Sequence, residues 1–229
     1  MARQMVEFTS NGGATRGYLS TPDAGSGPGV IVIQEYWGLV PHIQDICDRF
    51  AQEGFVALAP DLFHGSATKE PDEAGKLMMA LNIDQAAKDV RGAATYLKQM
   101  PQVTSAEIGI VGFCMGGMLA VYGASVSPEI GPVVDFYGVH PSVHPDFARI
   151  KGPVLGNFAE RDDFVSGDDM RKLESDLQAA GVQTDFRVYP GTHHAFFNDA
   201  RTGHGESYDA PAAEDSWQRT LSFLHTFLK

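Results

Sequence analysis

The chain has 229 residues, of which 43% are hydrophobic and 20% are charged, a composition typical of one globular domain or at most two small ones. This balance excludes a disordered or fibrous protein. Lysine and arginine number 17 against 29 aspartates and glutamates, a formal net charge of −12. Because the electric field of such a charge repels nucleic-acid backbones and anionic membrane surfaces, we expect the partner to be a small molecule rather than a nucleic acid or a membrane. We expect the protein to be a monomer or a small homo-oligomer.

The N-terminal residues contain no apolar segment of signal-peptide length, which predicts a cytoplasmic protein. The two cysteines, Cys47 and Cys114, are too few for a disulfide framework or a structural zinc site. The uncharged segment 108–127 is long enough to cross a bilayer. Its glycines and the proline that follows favour a buried strand, a tight turn and a buried helix of small residues instead.

The first predicted element is a short antiparallel hairpin from Met5 to Ser20. Because strand and helix patterns alternate after it and most strand runs are continuously apolar, we expect a mostly parallel twisted α/β sheet with helices on both faces. The whole chain, 1–229, is expected to form one domain. Further strands are predicted at 30–33, 55–58, 108–111, 133–134, 154–155 and 186–189. Helices are predicted at 43–52, 70–81, 84–98, 115–124, 168–180 and 209–228.

The segment 112–117 reads Gly-Phe-Cys-Met-Gly-Gly and separates a predicted strand from a predicted helix. A sharp strand-to-helix turn strains its middle residue and crowds the positions two before and two after it, so glycine suits those positions. Gly112 and Gly116 hold them around Cys114. The turn puts the Cys114 sulfur at a helix N-terminus, which favours the thiolate, and the N–H of Met115 can donate to an oxyanion. The alternative is a buried, inert cysteine.

An acidic run and a histidine pair follow the last two predicted strands. Residues 160–163 read Glu-Arg-Asp-Asp, and residues 190–196 read Pro-Gly-Thr-His-His-Ala-Phe. A nucleophile on such a turn needs a base and a group that orients the base, and their chain order in this architecture is nucleophile, acid, histidine. The sequence has that order. The candidates are Asp162 and Asp163 for the acid and His193 and His194 for the base.

Other kinds of site fit the sequence less well. The glycine-rich turn lacks the spacing of a dinucleotide-binding loop, and neither a Walker motif nor Gly-x-Ser-x-Gly occurs. His140 and His144 have a metal-like spacing, but Pro141 and Pro145 prevent a helix there and no third ligand is evident. We therefore expect neither a metal nor a cofactor.

These motifs together resemble the dienelactone hydrolases, or carboxymethylenebutenolidases, of the α/β-hydrolase fold, whose turn carries cysteine where most relatives carry serine. The resemblance covers nearly the whole chain and implies that fold. It rests on Gln34-Glu35-Tyr-Trp-Gly38, Ala59-Pro-Asp61-Leu, the Gly-Phe-Cys-Met-Gly-Gly turn, Arg161-Asp162-Asp-Phe-Val and His193-His194-Ala-Phe.

The resemblance implies a catalytic triad. Carried over by position, Cys114 is the nucleophile, Asp162 the orienting acid and His194 the base. Asp162 is preferred because a variable residue and a Phe-Val pair follow it, and His194 because it directly precedes Ala-Phe. Asp163 and His193 remain the rivals.

The resemblance also implies roles for three further residues. Glu35 is implied to be a second carboxylate near the thiol, which helps to hold or release the thiol proton; the alternative is a surface carboxylate. The backbone N–H groups of Tyr36 and Met115 are implied to form the oxyanion hole, and one such donor typically contributes roughly 3 kcal/mol. The implied reaction passes through a thioester acyl-enzyme.

One family feature is missing from the sequence. The family clamps the substrate carboxylate with arginines, one of them four residues after the catalytic histidine, where this chain has Asn198. Arg201 is a candidate clamp because arginine binds carboxylates in a bidentate manner, the alternative being a solvent-facing loop arginine. Trp37, Tyr137 and Phe196 are candidate pocket walls, although aromatic residues near strand ends often only complete the core.

The sequence thus predicts a hydrolase of small esters or enol lactones with a Cys-His-Asp triad. Two alternatives stay open. One is a general carboxylesterase with a substrate other than a dienelactone. The other is a non-catalytic ligand-binding or redox-sensing module built on an activated cysteine.

Overall fold

The computed structural model describes residues 1–10, 13–200 and 207–229. The strands within these ranges are β1 (Ala2–Ser10), β2 (Gly13–Thr21), β3 (Gly29–Ile33), β4 (Val56–Pro60), β5 (Ile108–Phe113), β6 (Ile130–Phe136), β7 (Val154–Arg161) and β8 (Thr184–His193). The helices are α1 (Pro41–Gln52), α2 (Pro71–Ala80), α3 (Ile83–Gln99), α4 (Met115–Val126), α5 (Gly167–Ala179) and α6 (Ala210–Phe227). A 3₁₀ turn occupies Phe147–Arg149.

These strands form one sheet in the spatial order β1-β2-β4-β3-β5-β6-β7-β8. The pairings of β1 with β2 and of β2 with β4 are antiparallel. The pairings from β4 through β8 are parallel. The structure therefore confirms the predicted α/β fold, a mostly parallel sheet with an N-terminal antiparallel hairpin.

The element boundaries differ from the predicted ones mainly in the hairpin, in β6 and in β7, which was predicted at 154–155 and covers Val154–Arg161. The hairpin strands cover 2–10 and 13–21, whereas the predicted hairpin began at 5 and ended at 20. The first residues escaped prediction because β1 is an edge strand whose first side chains are exposed and lack an apolar alternation. β6 begins before the predicted 133–134, at Ile130, because the Gly131-Pro132 pair that follows weakens the strand pattern although both residues are buried.

The central strands position the site. Every residue of β3, β4 and β5 is buried, as expected for parallel strands that are covered on both faces. Because β3, β5, β7 and β8 run parallel, their carboxyl ends lie along one edge of the sheet. The residues that follow these four strands include Glu35, Cys114, Asp162 and His194.

The uncharged segment 108–127 forms β5, a one-residue turn and α4, the strand, turn and helix predicted from its glycines. Among the helices of the described ranges, none is both long and apolar enough to cross a membrane.

Candidate active site

Cys114 is the single residue between β5 and α4, and its backbone is strained. Its φ of +55° lies where residues with a Cβ are rarely found. A Cβ on Gly112 would collide with the carbonyl group of Gly116. A Cβ on Gly116 would lie 2.5 Å from the carbonyl oxygens of Ile33 and Gln34. Steric contacts therefore require both glycines, as the spacing of the motif predicts.

The acid and the histidine meet beside this turn. His194 Nδ1 lies 2.9 Å from Asp162 Oδ2 and 3.1 Å from Oδ1, and both side chains are buried. Asp162 Oδ1 also accepts hydrogen bonds from the backbone N–H groups of Phe164, at 2.8 Å, and Val165, at 3.0 Å. The loop after β7 thus holds the carboxylate rigidly, and the carboxylate holds the imidazole.

The rival residues lie apart from this contact. Asp163 and His193 are both exposed, whereas Asp162 and His194 contact each other. Ala195 adopts a φ of +63° directly after the histidine, which is a further strained position in the loop. The structure therefore brings together the acid and the base that the family motifs favour.

The second nitrogen of His194 is left available. His194 Nε2 is buried and has no hydrogen-bond partner among the described residues. The ring lies between Tyr137, with centroids 5.0 Å apart, and Phe164, at 4.8 Å. Because Nδ1 faces a carboxylate, Nδ1 carries the proton and Nε2 has the free lone pair that a general base needs.

The surroundings of Cys114 disfavour ionisation of its thiol. Burial raises its pKa well above the ordinary cysteine value, and the negative charges of Glu35, Asp162 and Asp135 raise it further. The hydrogen bond from the N–H of Met115 lowers the pKa but does not offset these effects. The expectation that the helix N-terminus favours a thiolate was therefore wrong, because desolvation and three carboxyl groups outweigh the helix dipole.

Glu35 is a buried carboxyl group, not a surface one, with only 2% of its surface exposed. Its Oε2 accepts a hydrogen bond of 2.6 Å from the Asn198 side chain. This bond joins the segment after β3 to the loop after β8 that contains His194. Burial raises the pKa of Glu35 to about 7, against a smaller lowering by this hydrogen bond. The proton of Glu35 is thus exchangeable near neutral pH.

Two residues of the site were not singled out as contacts from the sequence. Asn198 drew attention only because it is not arginine. Asp135, in β6, is fully buried, and a Cβ on Gly117 or Gly138 would collide with its Oδ1. Burial raises the pKa of Asp135 to about 7, opposed by the Gly138 N–H. A carboxylate inside the apolar run of β6 was the signal that could have identified Asp135.

The remaining predicted residues lie at different depths. Tyr36 is partly buried, and burial together with the charges of Cys114 and Glu35 raises the pKa of its phenol to about 12. Its ring contacts Trp37, which is buried. Tyr137 and Phe196 are also completely buried, and their rings pack edge-on.

Arg201 lies outside the described residues. His140 has a structural environment, in which Nε2 lies 3.3 Å from the Met78 carbonyl oxygen and Nδ1 accepts the N–H of Ser142. Within the described part of the chain, no group of three or more His, Cys, Asp or Glu residues could hold a metal ion.

Comparison with known proteins identifies the family. The model of the dienelactone hydrolase family matches residues 15–228. "Protein usf" of Aquifex pyrophilus is 40% identical over 98% of this chain and 99% of its own length. The "Putative carboxymethylenebutenolidase" of Aquifex aeolicus is 36% identical over 99% of both chains. The crystal structure of a "Putative Dienelactone Hydrolase" from Klebsiella pneumoniae has a TM-score of 0.84 at 28% identity, covering 98% of this chain and 99% of the other. The chain therefore belongs to the dienelactone hydrolase family and is a hydrolase.

Proposed function

We propose that this protein hydrolyses small carboxylic esters or enol lactones, with Cys114 as nucleophile, His194 as general base and Asp162 as the acid that orients the base. The observation that carries the proposal is the buried contact between Asp162 and His194, next to a cysteine held in a strained strand-to-helix turn. A fold hosts many reactions, so the proposal depends on these side chains rather than on the sheet.

Attack and loss of the thiol proton occur together in this mechanism, because the resting thiol is protonated. Cys114 Sγ forms a bond to the carbonyl carbon while its proton passes to His194 Nε2. The electron pair of the carbonyl moves to its oxygen. The backbone N–H groups of Tyr36 and Met115 donate to that oxyanion, and one such donor typically contributes roughly 3 kcal/mol to the transition state.

Collapse of the tetrahedral intermediate expels the alcohol or enol oxygen, which takes the proton from His194, and leaves a thioester on Cys114. A water molecule then loses a proton to His194 Nε2 and attacks the thioester carbonyl. The second collapse releases the carboxylic acid and returns the proton to the sulfur. Asp162 keeps the Nδ1 proton in place during both half-reactions.

Glu35 supports this cycle as a nearby proton carrier. Its pKa of about 7 allows it to accept or release a proton at neutral pH. The hydrogen bond from Asn198 fixes one carboxyl oxygen, so the group keeps its orientation when its charge changes.

The test compares the native chain with Cys114→Ala and with Cys47→Ala, using hydrolysis of an aryl ester and loss of dienelactone absorbance. Cys114→Ala should abolish turnover, and Cys47→Ala should retain it, because Cys47 is completely buried in α1. Turnover that survives Cys114→Ala would overturn the proposal.

The redox-sensing alternative is less well supported by the site. Oxidation of cysteine follows thiolate character and exposure, and Cys114 is buried with a raised pKa. If the native chain showed no turnover of any ester or lactone while binding them, the ligand-binding alternative would replace the hydrolase proposal.

A further inference from the structure

We propose that the site accepts esters whose acyl group is uncharged and that Asn198 is the residue that sets this preference. The inference rests on the proposed function, since it concerns the substrate of the same Cys114 site. The observation that supports the inference is that the neutral amide of Asn198, rather than a cationic side chain, contacts the buried carboxyl group of Glu35.

Three carboxyl groups lie near enough to the nucleophile to act on it electrostatically. Glu35, Asp135 and Asp162 come from the ends of three different strands, and each acts on the Cys114 thiol in the same direction. Glu35 and Asp135 are almost completely buried, so little solvent screens them. A second anion brought into this space by the substrate would meet like charge.

Asn198 is the partner of the carboxyl group that acts most strongly on the thiol. Its amide nitrogen lies 2.6 Å from Glu35 Oε2, and both residues are buried. An amide satisfies one hydrogen bond of the carboxyl group but brings no positive charge. A guanidinium at the same position would neutralise Glu35 and leave donors for a substrate carboxylate.

The three carboxyl groups have no cationic partner in the described part of the chain. Among those residues, no lysine or arginine nitrogen forms an ion pair with Glu35, Asp135 or Asp162. Arg49, in α1, packs over the rings of Phe197 and Trp217. Arg201 is outside the described residues, so the experiment includes it directly.

The experiment measures kcat/KM for p-nitrophenyl hexanoate and mono-p-nitrophenyl adipate, which share a leaving group and differ by a terminal carboxylate. The native chain should prefer the hexanoate by about tenfold or more, since like charges about 10 Å apart at an effective dielectric of about 20 have an effect of that size. Arg201→Ala should leave this ratio unchanged.

Asn198→Arg should shift the ratio towards the adipate by about tenfold, and added salt should weaken that gain. The matched control is Gln99→Arg, which adds the same charge at the exposed C-terminal end of α3. This control should leave the ratio unchanged.

A second measurement, the pH dependence of the same ratio of kcat/KM values, does not require Asn198→Arg to fold. Folding raises the pKa values of both Glu35 and Asp135 to about 7, so both carboxyl groups lose their protons between pH 6 and pH 8 and discrimination against the adipate should increase in the native chain. Glu35→Gln should reduce that increase, and the remainder belongs to Asp135. An adipate preference in the native chain, or a ratio that Arg201→Ala changes markedly, would overturn the inference. If Cys114→Ala retained turnover of both esters, the proposed function itself would fail. That result differs from failure of the inference, in which Cys114 is required but the preference for the hexanoate is absent.

Discussion

Replacement of Asp162 by asparagine tests how the site sets the state of the imidazole. Asp162 Oδ1 accepts two backbone N–H groups, at 2.8 and 3.0 Å, and Oδ2 lies 2.9 Å from His194 Nδ1. An asparagine keeps its carbonyl oxygen on the two backbone donors, so its NH₂ group must face Nδ1. The imidazole then accepts at Nδ1 and carries its proton on Nε2, which cannot take a proton from Cys114.

The expected loss is large because the thiol is protonated at rest. In serine triads the same change of tautomer lowers kcat by about 10⁴. We expect a decrease of about 10³ to 10⁴ here, or about 4 to 5.5 kcal/mol in the barrier. The assay is kcat for an aryl ester across pH 6 to 9, with thermal unfolding to show that the variant is folded.

Asp163→Asn is the matched control, since Asp163 is the exposed neighbour and should change kcat less than about twofold. The reasoning would be refuted by equal losses in the two variants. It would also be refuted by a folded Asp162→Asn variant that keeps more than a tenth of native kcat, since that result indicates a thiolate formed before substrate binds.

Three further predictions concern stability. The pKa of Glu35 is raised from 4.5 to about 7 on folding, so the folded state holds a proton that the unfolded state has lost between these values, and the stabilising contribution of Glu35 should fall by about 3 kcal/mol as pH rises through this window. Because folding also raises the pKa of Asp135 to about 7, Glu35→Gln should reduce the slope in urea titrations at pH 4 to 8 without removing it. Gly117→Ala should lower Tm because the new Cβ meets Asp135, whereas Gly75→Ala, at an uncrowded position in α2, should raise stability by about 0.4–1 kcal/mol; equal shifts would contradict the packing. Asp89→Ala should cost about 2 to 4 kcal/mol in chemical unfolding, because it leaves two buried hydroxyl groups of the hairpin, those of Ser10 and Thr15, without their acceptor, while the partner His64 is half-exposed to solvent; a loss below about 1 kcal/mol would contradict that.

Sequence patterns predicted the parts of the structure that depend on local sterics and burial. The Gly112 and Gly116 positions follow from the crowding of one tight turn, and the chain order of Cys114, Asp162 and His194 follows from the succession of strands. Local patterns did not reveal how strongly carboxyl groups act on the thiol. Asp135 contacts the site only because β5 and β6 are neighbours in the sheet, which is a long-range property.

The contact between Glu35 and Asn198 shows the same limit. The two residues are 163 positions apart, and neither position has a local pattern that indicates a partner. The family motif predicts an arginine at the position of Asn198, which indicates a missing charge but not the hydrogen bond to Glu35 that is found there. The pKa of a buried group depends on such pairings, so the predicted thiolate was the part of the site most exposed to error.

The carboxyl groups that disfavour a free thiolate are compatible with catalysis, because one of them, Asp162, stabilises the charge that the proposed attack places on His194. In the proposed mechanism the thiol proton moves to His194, whose Nδ1 lies 2.9 Å from Asp162, so the carboxylate stabilises the imidazolium as it forms. The negative charge does not stay on sulfur but passes to the carbonyl oxygen, near the N–H groups proposed as its donors. In the proposed mechanism the nucleophile therefore stays protonated until a carbonyl group is in place, and separation of charge becomes favourable only along the reaction.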